Sequence, residues 1–152
     1  MPPTDAPPLG KAQWQHLIPH QGAMSLLDTI VAWDDTRLHA LAISHRDAGN
    51  PLRSDGRLRS VHLCEYGAQA MAIHGALLAQ RDGRTLPRGF LVALRAIKLH
   101  VTRIDDVEAA LEVHAEQLLA DAAGLQYAFR VEADGRLLAH GRAAIINAPA
   151  TA

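Results

Sequence analysis

From Val61 to Gln80 the chain is almost wholly apolar or small, and Val61, Ala68, Ala72, Gly75 and Ala79 recur at the three-to-four residue spacing of one helix face. The spacing predicts a long central helix with that stripe buried. Ahead of it, Trp14 to Ile18 predicts a short helix stopped by Pro19. Apolar and β-branched residues from Met24 to Trp33 predict a strand, Asp34-Asp35 a turn, and the alternation from Leu38 to Ser44 a second strand returning along the first. His45 to Ser60 carries Gly49, Asn50, Pro51, Asp55 and Gly56 among four arginines and predicts a loop that delivers the chain to the helix start. Beyond the helix, strands are predicted over Phe90 to Val101, Val107 to Leu119, Leu125 to Ala133 and Leu137 to Ile146. Asp134-Gly135 between the last two is a hairpin signal. The Asp-Gly-Arg triplet occurs three times, each time as turn punctuation without a surrounding repeat.

This order predicts an α+β fold, a meandering antiparallel sheet wrapped around one apolar helix, in a single domain over residues 11–147. Residues 1–10, rich in Pro, read as a disordered lead-in, and 148–152 as a tail. One helix covers one face of such a sheet. The apolar content of the late strands therefore predicts a dimer.

Composition narrows the function. A chain of 152 residues with 49% hydrophobic residues can bury a proper core. A net charge of -1, with no concentrated basic face, argues against nucleic acid as a partner. No apolar run approaches membrane-spanning length and the first residues lack the apolar core of a signal peptide, so the expected location is the cytoplasm. The single cysteine, Cys64, excludes an intrachain disulfide and a thiolate metal cluster. The nine histidines are scattered, and Pro19 interrupts the only pair at helical spacing, His16 and His20, so no metal site is expected.

Against that background Glu65 stands out, because it falls on the apolar stripe of the long helix. Burial there would oppose ionisation and make it a candidate proton donor near neutral pH. The small residues Gly67, Ala68, Ala70, Ala72, Gly75, Ala76 and Ala79 allow a sheet to close tightly around the helix. Gln69, one turn on, can hydrogen-bond a neighbouring group.

Two segments carry a family likeness. Leu17-Ile18-Pro19-His20-Gln21-Gly22-Ala23-Met24-Ser25-Leu26-Leu27-Asp28 resembles the opening of the hot-dog fold 3-hydroxyacyl-acyl carrier protein dehydratases, and His62-Leu63-Cys64-Glu65-Tyr66-Gly67-Ala68-Gln69-Ala70 resembles their helix-start motif. The likeness is nearest to the small dehydratase-like proteins of aryl polyene gene clusters. One departure matters. The better-known members place a catalytic histidine in a Gly-His-Phe-Pro segment, where this chain reads Gly49-Asn50-Pro51-Leu52, and Asn50 cannot take up a proton at neutral pH.

The resemblance implies dehydration of a 3-hydroxyacyl thioester on acyl carrier protein, without a cofactor, in fatty acid or polyene synthesis. Glu65 would act as acid, or as acid and base in turn; His20 is the candidate replacement base; the backbone amides of Ser60 and Val61 would bind the thioester carbonyl oxygen. Asn50 and Gln69 complete the substrate-binding set. His45 and His62 are weaker candidates, expected to be solvated or locally bonded. Cys64 is expected to be packing, since no activating base accompanies it. Arg46, Arg53, Arg57, Arg59, Arg88, Arg95 and Lys98 are candidates for a basic rim facing the acidic carrier. Two other readings compete: a non-catalytic acyl-binding subunit partnering an active hot-dog dehydratase, which the absent loop histidine favours, and an acyl thioesterase. The partner is expected to be a second copy or a related hot-dog chain.

Overall fold

A computed structural model describes residues 7–85 and 89–147. Helix α1 spans Lys11–Trp14 and continues as a 3-10 turn over Gln15–Leu17, so the short helix begins and ends earlier than Trp14 to Ile18. Trp14 sets its position: the ring is fully buried and Nε1 donates to the Asp28 carbonyl at 3.1 Å. Leu9, expected in a disordered lead-in, exchanges backbone hydrogen bonds with Ile30 at 2.9 and 3.0 Å.

Strand β1 is Thr29–Trp33 and β2 is Arg37–Ala42. They form the expected hairpin, closed by Asp34 Oδ1, which accepts the amides of Thr36 and Arg37 at 2.9 and 2.8 Å. The first strand does not start at Met24. Gly22, at φ 58°, opens a 3-10 turn through Met24, and Met24 and Leu26 bond to the central helix and to Ser44, not to a strand. Likewise β2 stops before Ser44, which opens another 3-10 turn.

The central helix, α2, is Leu63–Arg81, preceded by a 3-10 turn over Ser60–His62. After it come β3 (Gly89–Leu99), β4 (Leu111–Ala120), β5 (Gly124–Ala133) and β6 (Arg136–Asn147). All pairings are antiparallel and the order is β1-β2-β4-β5-β6-β3. The sheet wrapped around one helix is therefore present, but the meander is confined to β4, β5 and β6. α2 carries the chain across the sheet, so β3 lands at the far edge against β6, and β4 returns to pair with β2.

Val107 is outside β4 because residues 102–107 hold the loop before α2. Ile104 N donates to Leu58 O at 2.8 Å, Ser60 N to Thr102 O at 3.0 Å, and Leu58 N to Asp105 Oδ1 at 2.9 Å. Asp105 is also paired with Arg103, which holds its carboxyl well below the usual carboxylate range.

The expected stripe is buried at Gly75 and Ala79 but not in its first half. Leu63, Tyr66, Ala70 and Ile73 are fully buried, whereas Val61, Glu65, Ala68 and Ala72 form the most open line of the helix. The small residues matter where Gly67 meets β5: a Cβ there would stand 2.6 Å from the Phe129 ring, so only glycine lets the helix settle that close. Two Asp-Gly-Arg triplets make turns with both central residues at positive φ, Asp55/Gly56 and Asp134/Gly135, as expected for tight hairpins; the third ends α2 with Gly83 at φ 65°. Among the described residues no helix is long and apolar enough to cross a membrane.

Candidate functional site

The first turns of α2 meet the segment after α1 through one side chain. Gln69 is fully buried, and its Oε1 accepts the Leu26 amide at 2.9 Å while its Nε2 donates to the Met24 carbonyl at 2.8 Å. These bonds fix which end of the amide is which. Nε2 must therefore also donate to Glu65 Oε1, 3.1 Å away. The Leu17 to Asp28 segment is thereby bound to the helix, and with it His20.

His20 Nε2 lies 3.2 Å from the same Glu65 Oε1, with 32% and 33% of the two side chains exposed. Residues 45 positions apart in sequence thus form one unit, as the two motifs together imply. Full burial of Glu65 is not found: in the single chain the carboxyl is open on the Val61–Ala72 side. The other ring nitrogen, His20 Nδ1, is buried without a hydrogen-bond partner. A buried bare lone pair costs less than a buried unpaired N–H, so the favoured tautomer carries its proton on Nε2 and donates it to Glu65. Two donors then converge on Oε1, leaving Oε2 to face a ligand.

The two expected backbone donors differ. Ser60 is buried and its amide is engaged by Thr102, whereas the Val61 amide has no backbone acceptor among the described residues and sits one turn ahead of Glu65 on the open line. Asn50 is 5% exposed and fully bonded: Nδ2 donates to Ser44 O and Tyr66 Oη at 2.9 and 3.2 Å, and Oδ1 accepts the Leu52 amide at 2.9 Å. It organises the loop around Tyr66, whose hydroxyl also meets Ser44 Oγ at 2.8 Å. Sequence reasoning missed this Ser44–Asn50–Tyr66 group, since Ser44 lies in neither motif and Tyr66, inside the helix-start motif, was given no role.

His45 is not solvated. It is fully buried, Nε2 bonds the Val107 carbonyl at 2.9 Å, and burial pushes its pKa down. His62 is half-buried beside the helix start. Burial raises the Cys64 thiol, which keeps it protonated, in line with packing. The residues expected in a basic rim differ in their surroundings. Arg46 and Arg53 bond loop carbonyls, Arg57 and Arg59 are exposed, Arg95 and Lys98 lie on the edge strand β3, and Arg88 is outside the described residues.

The far half of α2 carries a second buried group that the sequence did not reveal. His74 Nδ1 meets Tyr127 Oη at 2.7 Å and its Nε2 meets the Asp34 carbonyl at 2.9 Å, while Gln117 Nε2 donates to Tyr127 Oη at 3.1 Å. Burial pushes His74 down and Tyr127 up to about 12, so both are neutral. The chain of donors runs Gln117, Tyr127, His74, Asp34, and it fastens α2 to β1, β4 and β5.

The ApeP-like family model, described as ApeP dehydratase, matches residues 12–152. Among solved structures, the dehydratase heterocomplex ApeI:P from Xenorhabdus doucetiae is similar at 22% identity and a TM-score of 0.78, over 89% of this chain and 90% of that one. A hypothetical thioesterase of Streptococcus pneumoniae with coenzyme A is similar at 10% identity and a TM-score of 0.64, over 94% and 100%. Thioesterase HI1161 of Haemophilus influenzae is similar at 10% identity and a TM-score of 0.58, over 91% and 92%. These structures share the hot-dog fold with this chain. No curated protein matches it in sequence.

Proposed function

The chain belongs to the ApeP-like dehydratase family, and from that premise we propose that it removes water from a 3-hydroxyacyl thioester carried by acyl carrier protein, with Glu65 at the reacting carbons. The supporting observation is the convergence of His20 Nε2 and Gln69 Nε2 on Glu65 Oε1, at 3.2 and 3.1 Å. Two donors on one oxygen leave the other oxygen as the acid–base atom. Glu65 Oε2 takes the proton from carbon 2; the same proton then passes to the hydroxyl leaving carbon 3, which departs as water with its bonding electrons. The carboxylate is regenerated and no external acid is consumed. The free Val61 amide polarises the thioester carbonyl, stabilising the charge that develops when carbon 2 loses its proton. His20, the candidate base of the sequence reading, orients the carboxylate by donating through Nε2.

The open line Val61–Glu65–Ala68–Ala72 favours completion of this site by a second hot-dog subunit, either another copy or a related chain. This is also the ground of the competing reading, an acyl-binding subunit that supports an active partner. We place the reaction in the cytoplasm. The deciding experiment is to incubate purified protein, alone and with candidate partner subunits, with 3-hydroxyacyl carrier protein and follow enoyl product by mass spectrometry. Product formation that is abolished by Glu65→Gln is expected. Product unchanged by Glu65→Gln would remove Glu65 from the chemistry, and no product in any combination would leave the acyl-binding reading.

A further inference from the structure

The sheet face turned away from α2 holds a set of side chains that the dehydration site does not use. We propose that His39, Glu112 and His114 form a binding site there for one divalent transition-metal ion of the zinc class.

The placement follows from strand periodicity. Residues two apart on a strand share a face, and directly paired residues on neighbouring antiparallel strands bring their side chains together. Glu112 and His114 are two apart on β4, and His39 of β2 is paired directly with His114. One ligand atom from each of the three lies within 4.8 Å of the others. His39 Nε2 and Glu112 Oε1 are already 3.2 Å apart, close to the roughly 3.4 Å that separates tetrahedral ligands at zinc bond lengths of about 2.0–2.2 Å. The His39 and His114 rings stack with centroids 4.3 Å apart and 14° between planes, which keeps the third ligand beside the other two.

A second observation points to a cation. His39 Nε2 is buried and has no hydrogen bond, although a carboxylate oxygen is beside it. A buried polar atom without a bond calls for an explanation, and a metal ion shared between this nitrogen and the carboxylate supplies one. The set also suits the ion chemically. Two imidazoles and one carboxylate are ligands that zinc, cobalt and nickel accept, and three protein ligands leave a position for water or an anion. Arg130, next in the row after His114, is turned to Glu132 Oε1 at 2.6 Å, which offsets its charge beside the site. The position opens onto a groove of about 840 Å³ crossing all the strands, with Lys98 and Arg142 on its floor.

The test uses the full chain, stripped with chelator, and the bare ions Zn²⁺ and Co²⁺. Calorimetry with Zn²⁺ should give one equivalent with a dissociation constant in the micromolar range or tighter, and Co²⁺ should give the visible absorption of a four- or five-coordinate ion. His39→Gln, Glu112→Gln and His114→Gln should each weaken binding about tenfold or more, while His20→Gln, in the other His–Glu pair, should leave it unchanged. The near-isosteric Glu112→Gln keeps the test decisive if a histidine variant does not fold. Binding weaker than about a millimolar, binding unaffected by Glu112→Gln, or binding lost with His20→Gln would each overturn the proposal.

Discussion

At the scale of single residues, the tautomer of His20 makes a prediction that separates two roles. With Nε2 donating to Glu65, His20 acts by holding the carboxylate, so a side chain that keeps a donor should keep much of the function. A hydrogen bond to a charged group is worth about 1.5–3 kcal/mol, or one to two powers of ten in rate. His20→Ala is therefore expected to lower kcat on a 3-hydroxyacyl carrier protein by about that factor, and His20→Gln by clearly less. Equal, larger losses of about two to four powers of ten in both variants would instead show His20 taking the proton itself. The three residues of this unit were legible in the sequence because each sits in a motif with a chemical meaning. What could not be read was Gln69's second task. Its bonds to Met24 and Leu26 decide where the His20 segment lies, and no spacing encodes a contact across 43 residues. Asn50 shows the reverse: its place in the loop invited a role at the substrate, yet all its polar groups are engaged by the chain itself.

At the scale of elements, α2 is fixed at both ends by polar groups, and each end gives a measurable result. At its start, Asp105 accepts the Leu58 amide and pairs with Arg103. Asp105→Ala removes both and leaves a buried N–H unpaired, with an expected loss of about 2–3 kcal/mol in urea unfolding. Because the folded carboxyl is held below its ordinary value of 3.8, this contribution is present above that pH and is lost as the pH falls further. At the other end His74, and His45 in the loop, have their pKa values lowered by burial from 6.5. Below that pH the unfolded chain binds protons that the folded chain refuses, so stability should decline as pH drops from about 6.5 toward the folded values. Urea midpoints between pH 8 and 5 will show the slope, and His74→Gln should make it shallower. The helix itself was plain in the apolar run, but its buried side was assigned correctly only at Gly75 and Ala79 and wrongly at Val61, Ala68 and Ala72: in a helix this uniformly small and apolar, periodicity carries little information about direction. The place of β3 was equally hidden, since strand patterns say which segments pair along an edge but not which edge a helical crossover reaches.

At the scale of the whole molecule, the single chain leaves Val61 at 52% and Ile43 at 58% exposure near the site, and Leu118 and Leu119 at 46% and 49% on the sheet. Surfaces of this kind call for a partner. Light scattering at micromolar concentration is expected to give at least twice the 16.4 kDa of one chain, alone or after mixing with a related hot-dog subunit; a monomer under both conditions would contradict it. The contact between Gly67 and Phe129 has a reach beyond packing. Gly67→Ala should cost about 1–3 kcal/mol by overpacking, recoverable in part by Phe129→Leu. The ring sits in the gap of the helix like a key in a keyway, which stops α2 from sliding along or rolling over the sheet. Glu65 therefore does not travel. The His20 segment is tied to that fixed helix by the Gln69 amide, so Gln69→Leu should unfasten His20 from Glu65 without moving the carboxylate.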